Sequence, residues 1–359
     1  MTGPLHGLTI IEMAGLGPGP FAAMMLADHG AEVIRVERAG MIGVPNDPLL
    51  RNRRSIALNL KREDHRDVVR RLAANADGLI EGYRPGVMER LSLGPDNLRA
   101  DHPALVYGRI TGWGQHGPLA AEAGHDINYL ALTGLLHGIG EPDRPPRPPM
   151  NLVADYAGGG MMLAFGMVAA LLDVQRGAAG RVVDAAMSDG AALTGALIYG
   201  LKAAGAWGGG RGGNLLDGGS PLYGCYACAD GKYLALGAIE PQFVAALLDG
   251  LALPVTASKS DVARAVATRG RDEWVALFAG RDACVAPVLD MDEAPSNPHN
   301  VARGTFADLG GVIQPMPAPR YEGDEATKPR PPQGQGADSE RVLKDAGYSC
   351  FEIDALLES

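Results

Sequence analysis

The first 110 residues alternate between short aliphatic runs and amphipathic stretches, and this alternation restricts the fold more than any other feature of the chain. Period-2 or continuous apolar runs indicate strands, whereas apolar residues at 3.6-residue spacing indicate helices. Strands that alternate with helices are typical of a parallel sheet with helices on both faces. We therefore predict an α/β fold with a large, doubly wound domain. Its predicted strands are Leu8–Glu12, Glu32–Val36, Ser55–Leu58, Asp77–Glu81 and Leu105–Ile110.

Two longer helical patterns, Asp126–His137 and Asp155–Gln175, precede a change in composition. Eight of the fifteen residues in Gly205–Gly219 are glycine, which indicates a linker, and the strand and helix patterns after it predict a smaller α+β domain. A final amphipathic pattern, Ser339–Leu357, should pack back onto the large domain, because a lone short helix is marginal in water. The predicted boundaries are 1–200 and 330–359 for the large domain, 201–222 for the glycine-rich linker, 223–312 for the small domain and 313–329 for a proline-rich return linker.

Charge and composition argue against several classes of partner. The net charge of -10 disfavours nucleic acid and anionic membranes. The longest apolar run, Ala157–Leu172, contains three glycines and is shorter than the ~20 residues of a membrane span, so we predict a buried helix. Four cysteines and no signal-peptide pattern predict a cytoplasmic protein without disulfides. Cys225 and Cys228 form a lone CxxC without the further ligands of a zinc set, so no metal site is predicted.

Within this acidic chain, residues 35–62 carry seven basic and two acidic side chains, a local charge of +5. Guanidinium groups bind phosphate in a bidentate manner, so the segment is a candidate anion site, although solvated surface charges would give the same count. A dinucleotide fingerprint is not present nearby. Gly15, Gly17 and Gly19 precede a helix, but Pro20 stands where the third glycine of the fingerprint is required.

His125 and Asp155 are the sharpest candidates for chemistry. Both stand at predicted helix starts, His125 beside a plausible N-cap at Asp126. The positive end of a helix favours the neutral imidazole that a general base requires. Spacing alone nevertheless favours a structural role, since His125 is one of eight histidines and Asp155 fits a simple N-cap. The glycines of Gly158–Gly160 each cost about 1 kcal/mol relative to alanine within a helix, so something must approach that turn closely, either another helix or a ligand.

Seven motifs in order give the chain its resemblance to a known family, and the resemblance runs nearly end to end. They are Gly-Leu-Gly-Pro-Gly-Pro at 15–20, Arg-Asn-Arg-Arg at 51–54, Glu-Gly-Tyr-Arg-Pro-Gly at 81–86, Thr-Gly-Trp-Gly-Gln through Gly-Pro at 111–118, Gly-His-Asp-Ile-Asn-Tyr at 124–129, Val-Asp-Ala-Ala-Met at 183–187 and Gly-Ala-Ile-Glu-Pro-Gln at 237–242. The sequence resembles the α-methylacyl-CoA racemases, within the larger group of family III CoA transferases.

The resemblance implies that His125 and Asp155 are two catalytic bases and that Glu240 assists His125. It implies an interlocked homodimer of the family III CoA transferase fold, and no cofactor beyond the coenzyme A of the acyl-CoA substrate. One departure is a stretch between 251 and 272 that is shorter than the family pattern. The implied coenzyme A contacts are Arg38, Leu58, Asn59, Leu60, Lys61, Gly82, Tyr83, Arg84, Arg90, Gly124, Asp126, Ile127, Asn128 and Tyr129.

The predicted function is racemisation of 2-methylacyl-CoA thioesters by proton transfer through an enolate. An enolate is planar, so inversion requires a proton donor on one face and an acceptor on the other. The first alternative is a CoA transferase in which Asp155 is the nucleophile and forms an aspartyl-CoA anhydride. The second is a protein that binds coenzyme A without turnover.

Overall fold

A computed structural model of the chain describes residues 3–38, 40, 44, 46–323 and 328–357. Part of the predicted linker 313–329 and the last two residues of 330–359 lie outside these described residues. The chain forms two compact units. The larger comprises the residues up to 133, residues 149–194 and those from 304 onward, and the smaller comprises 134–148 and 195–303.

A six-stranded sheet forms the centre of the larger unit, and every strand pair in it is parallel. The strand order is β3-β2-β1-β4-β5-β6, so the direction of winding reverses between β1 and β4. Parallel sheets of this topology bind ligands outside the carboxyl ends of their strands, near that reversal. The strands are β1 (Thr9–Met13), β2 (Glu32–Glu37), β3 (Arg53–Ala57), β4 (Gly78–Glu81), β5 (Val106–Thr111) and β6 (Val182–Ala186).

Helices connect these strands, and the core is continuous with the sheet. The helices are α1 (Pro18–Asp28), α2 (Glu63–Ala73), α3 (Val87–Arg90), α4 (Pro95–Asp101), α5 (Asp126–Leu132), a π-helix (Leu152–Gly160), α6 (Met161–Gln175) and α7 (Met187–Thr194). Ile11, Leu79 and Tyr107 of the sheet are fully buried and belong to the same apolar cluster as Val68 of α2. Strands β1 to β5 are buried on both faces, as in other parallel sheets covered by helices, and their buried charged residues, such as Arg35 and Arg53, are ion-paired.

The smaller unit has a three-stranded antiparallel sheet of its own, in the order β7-β8-β9. Its second apolar cluster includes Leu234, Leu247, Val262 and Trp274, so strands and helices bury one common core, as an α+β unit requires. The elements are α8 (Ala196–Ala203), β7 (Tyr223–Ala227), β8 (Tyr233–Gly237), α9 (Pro241–Leu251), α10 (Lys259–Val266), α11 (Arg271–Phe278), β9 (Val285–Val288) and α12 (Pro298–Arg303).

The chain then returns to the larger unit, as the C-terminal pattern predicts. Val342 and Leu343, together with Ile353 and Leu356, are buried in the core cluster that contains Ile11. The single predicted C-terminal helix is two helices, and the break contains Gly347 with a φ of 81°. The returning elements are the antiparallel hairpin β10 (Phe306–Leu309) and β11 (Val312–Pro315), followed by α13 (Ser339–Asp345) and α14 (Cys350–Leu357).

The two compact units differ from the predicted domains in three stretches. Residues 134–148 and 195–200 belong to the smaller unit, and residues 304–312 belong to the larger. Arg211 accounts for the first of these, because its side chain donates to the carbonyl oxygens of His137 at 2.7 Å and Glu141 at 3.4 Å. The predicted helix Asp126–His137 is wrong beyond Leu132. Gly134, with a φ of 74°, lies outside helical geometry just after that end.

Among the described residues, one helical run, Leu152–Gln175, is long and apolar enough to cross a membrane. Core helices of globular domains meet the same criterion, and this one packs on α1, β5 and β6. The prediction of a buried helix is correct for one face only. The other face exposes apolar side chains spaced four, three and four residues apart, namely Met161, Phe165, Val168 and Leu172.

Candidate functional site

A cavity of about 310 Å³ opens at the carboxyl ends of the central strands. Ala14 follows β1, Arg38 follows β2, Leu58 follows β3 and Tyr83 lies just beyond β4, so all four strand ends contribute to it. This is the position at which a sheet of this topology binds ligands. Six of the predicted coenzyme A contacts line it, namely Arg38, Leu58, Asn59, Leu60, Lys61 and Tyr83.

The basic residues of 35–62 fall into two groups, those that form ion pairs within the fold and those that line the cavity. Five of the seven basic side chains in 35–62 form ion pairs with acids that lie outside that segment. Among the residues that the structure describes, Arg38 and Lys61 have no carboxylate partner, and both face the cavity. The five paired residues are Arg35 and Arg53, both with Glu12, Arg51 with Asp28, Arg54 with Glu32 and Asp345, and Arg62 with Asp64.

The turn that carries Asn59 and Lys61 is held by His65, a residue that the sequence analysis missed. The Asn59 amide donates to Nδ1 of the buried His65 imidazole at 2.8 Å, and the Lys61 amide donates to Asn59 Oδ1 at 3.2 Å. An imidazole accepts at Nδ1 only when that nitrogen carries no proton. Burial lowers the pKa of His65, with Arg62 adding to the effect, and therefore favours the accepting form.

Tyr83 is positioned by a buried carboxylate at the end of β4. The Tyr83 amide donates to Glu81 Oε2 at 2.7 Å, and Arg109 Nε donates to Glu81 Oε1 at 2.8 Å. Burial raises the pKa of Glu81, while the Tyr83 amide and the Arg109 charge oppose that rise. The paired arginine on β5 thereby fixes the cavity wall on the β4 side.

His125 is the exposed residue that precedes α5, and its backbone is held from within its own segment. Its amide donates to Asn128 Oδ1 at 3.0 Å. Tyr129 is buried against Trp113, with ring centroids 4.8 Å apart, and its hydroxyl donates to the carbonyl oxygen of Gly124. Asn128 and Tyr129 of the predicted segment 124–129 thus hold the backbone at His125 and at the preceding Gly124.

Asp155 does not begin its helix, in contrast to the prediction, because the π-helix starts at Leu152 and Asp155 is its fourth residue. Asn151 Nδ2 donates to Asp155 Oδ2 at 3.3 Å, and the Gly15–Pro20 turn lies beside it, since a Cβ atom at Gly17 would stand 3.7 Å from that oxygen. Burial raises the pKa of Asp155, and the Asp126 charge adds to the rise, against the effects of Asn151 and His125. The carboxyl group therefore holds a proton more readily than an ordinary aspartate.

One carboxylate connects the two candidate bases. Asp126 is buried, and its Oδ2 accepts from the amides of Ala154 and Asp155, both at 2.7 Å. Asp126 directly follows His125 in the chain. The side chain of the residue after His125 is therefore hydrogen-bonded to the backbone of Asp155, which lies 30 positions beyond His125 in sequence.

The three glycines after Asp155 allow helices to pack closely, which decides between the two explanations offered for them. A Cβ atom at Gly158 would stand 2.4 Å from the amide nitrogen of Ala191 in α7, and one at Gly160 would stand 2.8 Å from the carbonyl oxygen of Pro18 in α1. Another helix, on each side, is what approaches this turn.

The remaining predicted residues lie in several places. Gly82 and Arg84 flank Tyr83 at the surface, and the charge of Arg84 acts on Tyr129, so the cavity and the His125 segment are neighbours. Arg90 ends α3, next to the cavity residue Leu91. Ile127 is exposed on α5. Glu240 belongs to the smaller unit, where it is the exposed residue that precedes α9.

The two cysteines of the CxxC have free thiols, one exposed and one buried in the core of the smaller unit. Within the described part of the chain, no group of three or more histidine, cysteine, aspartate or glutamate side chains is arranged to hold a metal ion.

Comparison with known proteins agrees with this architecture. The model of CoA-transferase family III matches residues 5–336, and the chain belongs to that family. A crystal structure of a CaiB/BaiF family protein from Brucella suis superposes with a TM-score of 0.83 at 25% identity, covering 96% of this chain and 100% of that one.

Within the family, the chain is similar in sequence to racemases along nearly its whole length. It is 44% identical to the α-methylacyl-CoA racemase of Mus musculus and 42% identical to that of Homo sapiens, over 99% of this chain and 98% of each relative. The succinyl-CoA:glutarate CoA-transferase of Mus musculus is 29% identical, over 99% of this chain and 89% of that protein.

Proposed function

We propose that the protein is an isomerase that racemises 2-methylacyl-CoA thioesters, with His125 and Asp155 as the two bases. The observation that carries the proposal is the Asp126 carboxylate, which directly follows His125 and accepts the backbone amide of Asp155. The cavity presents Arg38 and Lys61, for which the described residues offer no carboxylate partner. The 42–44% identity to α-methylacyl-CoA racemases over nearly the whole chain supports the same reaction. The proposal needs no cofactor, because the thioester itself stabilises the carbanion as an enolate.

In the proposed reaction the two bases together carry one proton before the substrate gives up its own, so one base is protonated and the other is not. When the Asp155 carboxylate removes the α-proton, the His125 imidazolium protonates the opposite face of the enolate. Asp155 is then a neutral acid and His125 a neutral imidazole, which is the state required for the reverse direction. General catalysis is most effective when the pKa values of donor and acceptor lie near the working pH, and burial shifts the pKa of Asp155 upward, in that direction.

Coenzyme A would be held mainly by the cavity at the strand ends. Arg38 and Lys61 supply two positive charges that no carboxylate neutralises among the described residues, and phosphate groups are the complementary ligand. The apolar side chains of Leu58, Leu60 and Tyr83 suit the rest of the nucleotide. Because these contacts exist equally before and during proton transfer, they contribute to binding rather than to the chemical step.

Family membership favours one competing activity, transfer of coenzyme A between acids with Asp155 as the nucleophile. Both reactions need an ionised Asp155, as the nucleophile or as the base, so its raised pKa does not separate them. Transfer would, however, give no role to His125. The relatives at 42–44% identity are racemases, whereas the transferase is 29% identical, and both observations favour proton transfer over transfer of coenzyme A.

The deciding experiment is incubation of separate R and S 2-methylacyl-CoA substrates in D2O, with the α-hydrogen followed by NMR. A racemase exchanges the α-proton and inverts the centre without any acid acceptor. His125→Ala and Asp155→Ala should each lower inversion by ~10²- to 10⁴-fold and retain exchange of opposite enantiomers. His299→Ala, at an exposed histidine of the smaller unit, is the matched control and should change neither rate.

Two outcomes would overturn the proposal. Near wild-type inversion in either base variant would exclude a two-base mechanism. Loss of all turnover in Asp155→Ala with an active His125→Ala, together with an absolute requirement for an acid acceptor, would instead establish the transferase.

We further propose that the protein acts as a homodimer and that Glu240 assists His125. The apolar stripe on α6, in which Phe165 is 73% exposed, supports dimerisation, since a patch of this kind is usually covered by a partner. A second copy of the chain is the occupant that we propose. A monodisperse, active monomer in light scattering would contradict it.

A further inference from the structure

We propose that Asp126 is a positioning residue that sets the distance between the two proposed bases, rather than a contact for coenzyme A. This inference rests on the proposed function and adds to it a residue whose side chain acts through the backbone of Asp155. Three features of the structure carry it: burial of the carboxylate, the hydrogen bonds that it accepts from two amides, and the lack of another side-chain partner among the described residues.

The Asp126 side chain is only 5% exposed, so it cannot reach a ligand without moving. A buried carboxylate is stable only where hydrogen bonds replace its hydration. Asp126 Oδ2 receives two, from the amides of Ala154 and Asp155. Its other oxygen, Oδ1, has no hydrogen-bond partner among the described residues. Among the described residues, the Asp126 carboxylate therefore accepts hydrogen bonds only from the backbone of Ala154 and Asp155.

The link is directional. His125 has other supports, since Asn128 accepts from its amide and Tyr129 holds the carbonyl of Gly124. The Asp155 amide, in contrast, lies in the first turn of a helix, where backbone amides have no partner within the helix and need one from elsewhere. Loss of the Asp126 carboxylate should therefore displace Asp155 more than it displaces His125.

The variants Asp126→Ala and Asp126→Asn separate positioning from a general loss of charge. Asparagine keeps an oxygen that can accept from both amides, whereas alanine keeps none. Asp77→Ala is the matched control, because Asp77 also accepts a main-chain amide, that of Thr9 at 2.8 Å, but precedes the amino end of β4, whereas the cavity lies at the carboxyl ends of the strands. All variants are compared at equal folded fractions, judged by circular dichroism.

The first readout is independent of activity. Hydrogen exchange of the peptide that contains Ala154 and Asp155, measured by mass spectrometry, should be at least ~10-fold faster in Asp126→Ala than in the wild type. Asp126→Asn should stay near the wild type. Unchanged exchange in Asp126→Ala would overturn the positioning role, whatever the protein's activity.

The second readout is α-deuterium uptake by each enantiomer. A displacement of about 1 Å can cost ~10²-fold in rate, so Asp126→Ala should slow uptake by that order for the enantiomer that Asp155→Ala also impairs. The other enantiomer should change by a few-fold at most, KM should stay constant, and Asp126→Asn should restore most of the rate. Equal losses for both enantiomers, or a rise in KM with kcat unchanged, would refute the inference. If the wild type takes up no deuterium at all, the proposed function fails, and the amide exchange alone decides the role of Asp126.

Discussion

Replacement of Gly158 by alanine tests whether close helix packing, rather than flexibility, explains the glycines beside Asp155. The new Cβ atom would stand 2.4 Å from the Ala191 nitrogen, 2.8 Å from the Gly190 carbonyl carbon and 2.9 Å from the Ala191 Cα. All three are backbone atoms, which cannot rotate away as a side chain can. Alanine gains about 1 kcal/mol of helix propensity over glycine, whereas overpacking costs about 1–3 kcal/mol. Contacts this short place the cost at the upper end, so the net loss should be about 2 kcal/mol.

Differential scanning calorimetry is the assay, and Gly200→Ala is the control. Gly200 lies within α8, and apart from its chain neighbours and its own helix backbone no described residue places an atom within 4 Å of an added Cβ, so the same substitution should stabilise there by about 0.5–1 kcal/mol. At about 2–4 °C per kcal/mol, Gly158→Ala should lower Tm by ~4–8 °C. Racemisation should fall as well, because α7 packs on the helix that carries Asp155. An unchanged or raised Tm in Gly158→Ala would refute the packing explanation.

Two further predictions concern binding and pH. Arg38→Ala should raise KM by ~10- to 100-fold with kcat unchanged, because it removes one charge-assisted contact of about 1.5–3 kcal/mol. Arg54→Ala is the control and should leave KM unchanged, since Arg54 is paired with Glu32 and Asp345. A fall in kcat of Arg38→Ala in steady-state kinetics, with KM unchanged, would refute the assignment. Hydrogen bonds from Arg271, with Lys232 adding to them, lower the pKa of Glu293 to about 2, so its stabilising effect is complete above its ordinary pKa of 4.5 and lost as pH falls toward 2. Glu293→Gln should therefore lower Tm at pH 7 but not near pH 2, and a difference that persists at pH 2 would contradict this.

Most of the sheet could be predicted from sequence, because its strands contain short apolar runs, such as Val33–Ile34 in β2 and Leu79–Ile80 in β4, that alternate with amphipathic helical stretches. Helix ends were harder, since the apolar spacing after Asp126 continues past the true end of α5 at Leu132. Only the positive φ of Gly134 marks that end, and a glycine within a helical pattern does not by itself reveal its conformation. The break at Gly347 was missed for the same reason.

Charge counting identified the segment that supplies Arg38 and Lys61 to the cavity, but it could not separate these two from the five ion-paired side chains. The count of seven basic and two acidic residues includes only neighbours in sequence. The acids that neutralise the arginines lie elsewhere in the chain. Glu12, on β1, is fully buried and takes both Arg35 and Arg53. A buried acid of that kind requires such partners, but its burial is a property of the sheet and not of the local sequence.

The glycines around Asp155 connect the stability of the fold with its proposed chemistry. Helix propensity alone would favour alanine at each of them, yet the chain uses glycine where α1 and α7 approach the π-helix. A Cβ atom at Gly190 would stand only 1.7 Å from the carbonyl oxygen of Gly158, so the two helices touch through their backbones. Backbone contact leaves few alternative arrangements, and together with the amide bonds to Asp126 it fixes Asp155 from two sides. A base that must meet one face of a planar enolate requires that rigidity, because proton transfer depends on position more steeply than binding does.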